Sequence, residues 1–116
     1  MTRLQSIKTL KRKADRLLQK SFVQEFPICL VCGKPTSEGH HYIPKSQSNN
    51  LRYDFTNLIP LCRAYHFKHH MVGDPHIMEV ILHIKGEEWA EDLNIRRRVI
   101  RKLNKTYLKE VIKELT

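Results

Sequence analysis

Three cysteines are the residues of this chain best suited to holding a metal. Two intervening residues separate Cys29 from Cys32, so a tight knuckle closed by Gly33 can present two thiolates to one ion, and Cys62 can add a third. An odd number of cysteines suits a disulfide framework poorly, and in a reducing compartment this spacing favours a metal site or a redox pair. We predict a structural Zn²⁺ site; the alternative is three reduced cysteines that only pack in the core.

A closed tetrahedral zinc site needs a fourth ligand. Three residues after Cys62, where a second Cys-x-x-Cys pair would have its last cysteine, the chain has Tyr65. One helical turn later, on the same face if the segment is helical, lies His69. We therefore predict His69 as the fourth zinc ligand.

Four of the seven histidines form a second group. His40 and His41 are adjacent on a predicted strand, where neighbouring side chains point to opposite faces. His66 and His70 are four residues apart, a spacing that lets two imidazoles on one helix bind one ion. If that helix packs on the strand, the pairs meet in one cleft. A divalent ion held there can stabilise charge on a phosphate oxygen, and one histidine remains free as a base.

The apolar pattern predicts the elements that position these groups. From Leu4 to Phe26 apolar residues recur every three or four positions, which predicts a basic helix that Pro27 ends. Residues 27–43 are typical of two short strands joined by a Gly/Pro turn, followed by a loop. Residues 58–62 are too short to predict more than an extended connection before the histidine helix. The expected class is α+β, with a small ββ-helix unit between helical flanks.

The C-terminal part is predicted to be helical. Asp74 as N-cap and Pro75 at the first helical position begin one helix, which Gly86 ends. A further turn or two follows, and Asn94 is the predicted N-cap of a long amphipathic helix that reaches Leu115. Its apolar stripe can pack on the first helix or pair with another copy of the chain, so both a monomer and a homodimer fit.

Length and charge limit the class of protein. A chain of 116 residues suits one domain, here residues 1–26 as a helix, 27–72 as the core and 73–116 as an extension. The net charge of +9 is concentrated at the two ends. Such ends indicate contact with a polyanion; the alternative is solvated helix faces. The cations expected to contact this polyanion are Lys11, Arg12, Arg16, Lys45, Arg96, Arg97, Arg98 and Arg101.

The N-terminal residues are polar and charged, unlike a secretory signal. No segment approaches the roughly 20 apolar residues that a membrane span requires. We therefore expect a cytoplasmic protein with no membrane partner.

Four motifs carry a family resemblance: "CLVCG", "EGHHYIPK", "TNLIPLC" and "YHFKHH". Their order and spacing across residues 27–72 resemble an HNH endonuclease of the zinc-stabilised ββα-metal type. The resemblance implies hydrolysis of DNA phosphodiester bonds with one divalent ion. Mg²⁺ or Mn²⁺ is the expected ion, while a histidine-rich ligand set also leaves Ni²⁺ or Zn²⁺ open.

The resemblance implies a role for each site residue. His41 resembles the general base that deprotonates the attacking water. Asn57 resembles the middle residue of the motif, which braces the loop and orients the base. His66 is the third motif residue, and it resembles a metal ligand together with His40 and His70.

A finer resemblance concerns the flanks. The first helix and the segments "NNLRYDFTN" and "MEVILHIKGEEWAEDL" are similar in layout to the phage recombination nucleases of the Rap/NinG kind, which implies branched or single-strand-containing DNA as substrate and a bacterial or phage-infected cell. Those proteins usually have Asn where this chain has His66. The alternative from another class is a non-catalytic zinc-knuckle nucleic-acid-binding protein, which would need the cysteines and basic helices but neither His41 nor Asn57. A structural phage or packaging component is a third.

Overall fold

The computed structural model describes residues 5–67 and 75–116. Within these residues a two-stranded antiparallel sheet and five α-helices follow one another in the order α1, β1, β2, α2, α3, α4, α5. The helices are α1 (Ile7–Glu25), α2 (Arg63–Phe67), α3 (Pro75–Lys85), α4 (Glu87–Arg96) and α5 (Lys105–Leu115), and the strands are β1 (Glu38–His41) and β2 (Leu58–Leu61). The expected α+β class, with two strands and a following helix, is confirmed.

Helix α1 supplies one wall of the core. The hydroxyl of Ser6 accepts a hydrogen bond from the backbone N–H of Thr9, which caps its first turn. Pro27 follows shortly after its end, as the sequence indicates. One stripe of side chains with a spacing of four is buried: Leu10, Ala14, Leu18 and Phe22.

The sheet differs from the expected hairpin. Residues 27–43 were predicted to hold both strands, yet only an isolated bridge between Ile28 and Pro35 precedes β1. The partner of β1 is β2, which the sequence suggested was only an extended connection; His41 pairs with Leu58. All four residues of β2 are buried, so the strand shows no polar alternation that would reveal it.

Helix α1 packs closely on β1 at Gly39. A Cβ atom on Gly39 would lie 2.7 Å from Cδ2 of Phe22, so only glycine allows this approach. The side-chain amide of Gln19 bonds to the same residue in both directions: Nε2 donates to the Gly39 carbonyl at 2.9 Å, and Oε1 accepts from its N–H at 2.7 Å. Gln19 thus pairs with β1 as a further strand would, beside the two histidines.

The C-terminal part has two helices where the sequence predicts one long helix from Asn94. Helix α4 passes through Asn94, and α5 begins after Asn104, whose side chain accepts from the N–H of Tyr107 at 2.9 Å. Asn104 is therefore the N-cap, and the prediction for Asn94 is wrong.

The break between α4 and α5 is held by the loop that joins the strands. The side-chain amide of Asn50 donates to the Arg96 carbonyl at 2.9 Å, and that of Asn49 donates to the Arg101 carbonyl at 3.1 Å. The Arg96 carbonyl also accepts from the Val99 N–H, three residues later, at 3.2 Å, which makes a turn and does not continue the α-helix.

Two apolar clusters make up most of the core. Leu108 and Val111 of α5 pack on Leu10 and Ala14 of α1, so the stripe of the last helix is covered within the chain. The second cluster joins β2 to α3 and includes two of the three cysteines; its buried members are Cys29, Ile59, Leu61, Cys62, Ile77 and Ile81. Among the described residues, no helix is long and apolar enough to cross a membrane.

Candidate active site

The three cysteines come together at one corner of the second cluster. Their Sγ atoms all lie within 4.8 Å of one another, and those of Cys32 and Cys62 are 3.5 Å apart. Zn–S bonds of about 2.3 Å in a tetrahedron place sulfur atoms roughly 3.8 Å apart. None of the three, all of them among the described residues, forms a disulfide. The donor set therefore fits zinc.

The local backbone is built for this knuckle. Gly33 has φ +75°, a left-handed conformation that favours glycine, and its N–H donates to the Cys29 carbonyl at 3.1 Å. Burial raises the pKa of Cys29, but hydrogen bonds from the backbone of Cys32, Cys62 and Val31 lower it more, so the net shift is downward. A lowered pKa favours the thiolate that a metal requires at Cys29. At Cys32 a hydrogen bond from the Lys34 backbone lowers the pKa, but burial and the two neighbouring cysteines raise it more.

The predicted fourth zinc ligand, His69, lies outside the described residues and stays a prediction. Tyr65, which occupies the position of the expected cysteine, is half-buried and packs on the apolar cluster around Cys29 and Cys62.

His40 and His66 meet across the interface between β1 and α2. Their ring centroids are 5.7 Å apart with the planes inclined at 62°, and His40 is only 5% exposed. Two imidazoles at this separation can face one divalent ion. His70, the third predicted ligand, lies outside the described residues.

Glu38 joins this pair, and the sequence reasoning missed it. Its Oε1 lies 2.6 Å from Nε2 of His66. Glu38 is two residues before His40 on β1, and the alternation of a strand puts both on one face, which is the signal that could have found it. A carboxylate here can fix the ring of His66 or give a metal an oxygen ligand, which Mg²⁺ and Mn²⁺ prefer.

His41 makes a contact suited to a general base. Its Nε2 is 2.9 Å from the backbone carbonyl oxygen of Arg52. Because a carbonyl can only accept, Nε2 carries the proton and Nδ1 is left as the basic nitrogen. Burial lowers the pKa of His41, the Arg52 carbonyl offsets this only in part, and the charges of Lys45 and Arg52 lower it further. The ring is therefore neutral at pH 7 and able to accept a proton.

Both histidines of the pair border the same cleft, although alternation predicts opposite faces. The cleft has a volume of about 640 Å³. The ionisable side chains that line it are Glu38, His40, His41, Lys45 and His66.

Asn57 lies beneath the loop between the strands and is fully buried. Its Oδ1 accepts from the Ile43 N–H at 2.8 Å, while its Nδ2 donates to the carbonyls of Ile43 and Leu51 at 3.0 and 3.3 Å. These contacts hold the loop that carries the Arg52 carbonyl.

A second brace comes from α1. Asp15 accepts two hydrogen bonds from the guanidinium of Arg52, at 3.0 Å from Nε and 2.7 Å from Nη2. Such a two-point contact fixes an arginine more firmly than a single bond does. The residue whose carbonyl contacts His41 is thereby fastened to the first helix, a contact that no motif or spacing predicts.

Of the predicted DNA contacts in the first half of the chain, Lys45 borders the cleft and is exposed. Arg12 and Arg16 are exposed on α1, and Lys11 is partly exposed. These four side chains are placed where a polyanion can reach them.

Those in the second half make contacts of their own. Arg96 pairs with Asp54 at 2.5 Å and with Asp92 at 2.9 Å, so these two carboxylates largely neutralise its positive charge. The guanidinium of Arg101 lies 4.6 Å from the ring centroid of Tyr107, while Arg98 is exposed. Arg97 donates to Oε1 of Gln47 at 2.7 Å.

Comparison with known proteins identifies one part of the chain. Residues 29–71 match the family model described as HNH endonuclease, which names no subgroup. No curated protein and no solved structure matches the chain. The match covers less than half of the 116 residues but includes the cysteine cluster, both strands and the histidine cleft. Residues 29–71 are therefore similar to the HNH endonuclease family.

Proposed function

We propose that the protein is a metal-dependent endonuclease that hydrolyses phosphodiester bonds of DNA. The observation that carries this proposal is the arrangement of His41. Its basic nitrogen is selected by the Arg52 carbonyl, and the ring borders the same cleft as the metal-suited group of Glu38, His40 and His66.

The residues of the cleft divide the work of hydrolysis. Nδ1 of His41 takes a proton from water as the water oxygen bonds to phosphorus, and the Arg52 carbonyl stabilises the imidazolium that forms. One ester P–O bond breaks, and the leaving oxygen takes a proton from solvent. A divalent ion bound by His40, His66 and His70, with Glu38 beside them, would neutralise charge on the phosphate. Lys45 at the rim is suited to a flanking phosphate.

The proposed substrate is DNA held mainly through its phosphates. Exposed cations on α1 and after α4 suit contact with backbone on either side of the cleft, with little reading of bases and with strong dependence on salt. Branched or single-strand-containing DNA in phage or bacterial recombination and processing is the proposed context, on the strength of the layout of the flanking segments alone.

Cleavage and binding assays on His41→Ala test the proposal. We expect cleavage to fall to background while DNA affinity changes by less than about threefold, because a general base contributes little to ground-state binding. Supercoiled, linear, single-stranded and four-way-junction DNA would be incubated with the full chain and Mg²⁺, Mn²⁺ or EDTA.

The matched control is His83→Ala, which removes an exposed histidine of α3. It should cleave as the unchanged protein does. If the unchanged protein binds DNA but shows no divalent-dependent cleavage, the protein is a non-catalytic binder and the proposal is wrong.

A further inference from the structure

The segment between α4 and α5 presents apolar side chains to solvent. Ile100 is 92% exposed and Val99 is 53% exposed, and both lie in residues 97–104, named here the arginine loop. Exposing apolar side chains has no benefit for folding, since burial is what stabilises them. Ile100 is also the most exposed of the large apolar side chains in the described residues.

The arginine loop is held in place despite this exposure. The carbonyl of Arg101 is bonded by Asn49, and Asn104 caps the helix that follows. At its start, the N–H groups of Arg98 and Val99 donate to the carbonyls of Ile95 and Arg96, both at 3.2 Å. Ile100 therefore projects from an anchored turn, which reduces the entropy lost when it is ordered on a partner.

The charged residues that neighbour Ile100 in sequence are all cationic. No acidic residue occurs between Asp92 and Glu110, and Arg98, Arg101 and Lys102 all lie close to Ile100 in sequence. The cores of protein–protein interfaces are depleted of charge, so a run of like charges fits them poorly. A partner with anionic groups outside and flat apolar groups inside suits an apolar side chain flanked by cations. DNA has this structure, with phosphates outside and stacked bases inside.

The arginine loop is linked to the cleft through a short turn. Arg97 donates to the side chain of Gln47, and the Gln47 N–H donates to the Pro44 carbonyl at 2.8 Å. Pro44 and Lys45 of the same turn line the cleft. The arginine loop therefore contacts the turn that carries Lys45 at the rim of the cleft.

We propose that the arginine loop is a wedge that inserts Ile100 between bases of DNA while its arginines hold the adjacent phosphates. Apolar side chains of this kind unstack a base step and kink the duplex. The wedge favours DNA whose bases are already unpaired or unstacked, because such DNA needs less energy to open. This inference rests on the proposed action on DNA and assigns the part of the protein that selects its structure.

Fluorescence of 2-aminopurine, which rises when the base unstacks, tests the wedge. The probe would be scanned through a paired duplex and a duplex with a central mismatch, using the full chain with His41→Ala to prevent cleavage. Fluorescence should rise at one step, and Ile100→Ala should abolish that rise. Binding to the mismatched duplex should weaken roughly fivefold, from lost apolar contact. The salt dependence should stay unchanged, since no phosphate contact is removed.

The matched control is Ile84→Ala, which truncates an exposed isoleucine of α3 and should keep the fluorescence rise. An unchanged rise in Ile100→Ala would overturn the wedge. So would loss of a dimer in light scattering with DNA binding unaffected, which would make Ile100 part of a contact between copies. Cleavage by the unchanged chain is scored separately: unstacking through Ile100 without cleavage would support the wedge and overturn the nuclease.

Discussion

A backbone carbonyl selects the basic nitrogen of His41. Histidine with two free nitrogens divides its proton between them, whereas the Arg52 oxygen favours one tautomer. The carbonyl is itself kept in place by the buried amide of Asn57 and by the pair of Arg52 with Asp15. The base is thus oriented by groups that do not touch the reacting atoms.

Glu38 provides a prediction at this scale. Replacing Glu38 with Gln should weaken binding of the catalytic ion by about 10 to 100 fold, because an amide holds the His66 ring less firmly and carries no charge. Calorimetric titration of the zinc-loaded protein with Mn²⁺ measures this directly. Glu79→Gln, at an exposed position of α3, should leave Mn²⁺ affinity unchanged. Equal affinity in Glu38→Gln and the unchanged protein would leave Glu38 without a role in the metal site.

The sequence predicted the side chains of the site better than their supports. Motif spacing was sufficient to place His40 and His66 in one cleft and to bring three cysteines together. The contribution of Arg52 is a peptide oxygen, which every residue has, so no residue type marks it. Asp15 is separated from Arg52 by 37 positions in the chain, and sequence patterns of helices and strands do not predict contacts over such a separation.

At the scale of elements, the errors have a common cause. Strand β2 is buried along its whole length, and a buried strand of four residues carries no periodicity. The predicted last helix is divided between Arg96 and Arg101, whose carbonyls accept hydrogen bonds from Asn50 and Asn49 of a distant loop. In both cases tertiary contacts decide what the local pattern leaves open.

The contact of α1 with β1 leads to a prediction about Gly39. Gly39→Ala should lower the free energy of unfolding by roughly 1 to 3 kcal/mol, because the added methyl overlaps the ring of Phe22. Urea denaturation measures the change. The double variant with Phe22→Leu should lose less unfolding free energy than the two single variants lose together, since the smaller side chain removes the overlap. Strict additivity would show that the overlap is relieved elsewhere.

At the scale of the whole molecule, Asp54 connects the loop between the strands to α4. Burial raises the pKa of Asp54, but hydrogen bonds from Thr56 and the pairing with Arg96 lower it more, so its folded-state pKa lies below the usual 3.8. A lowered carboxyl pKa adds stability above pH 3.8 that disappears as the pH falls through the folded-state value.

Asp54→Asn should therefore be less stable than the unchanged protein at pH 7, with the difference shrinking below pH 3.8. Thermal melts over this range measure it. Asp92→Asn is the control, because Asp92 is more exposed and its pair with Arg96 spans one helical turn, so its effect should be small. A difference that is constant with pH would mean that the carboxylate charge is not responsible.

The cysteine cluster connects the knuckle, the end of β2 and the core beside α3, so removal of a metal bound there should affect the whole fold. Structural zinc contributes on the order of 10 kcal/mol to small domains. Metal analysis should find about one zinc per chain after dialysis against a weak chelator, and a strong chelator should lower the melting temperature sharply.

The fourth ligand can be identified with the same two measurements. Cys62→Ser and His69→Ala should both lose tightly bound zinc and melt at lower temperature, because each removes one of four ligands. His70→Ala, the adjacent residue, should keep zinc and the melting temperature but lose most cleavage, since it is predicted to serve the other ion. If His69→Ala retains its zinc and its melting temperature, the fourth ligand is a group other than this histidine. His69 and His70 then do not bind two different metals.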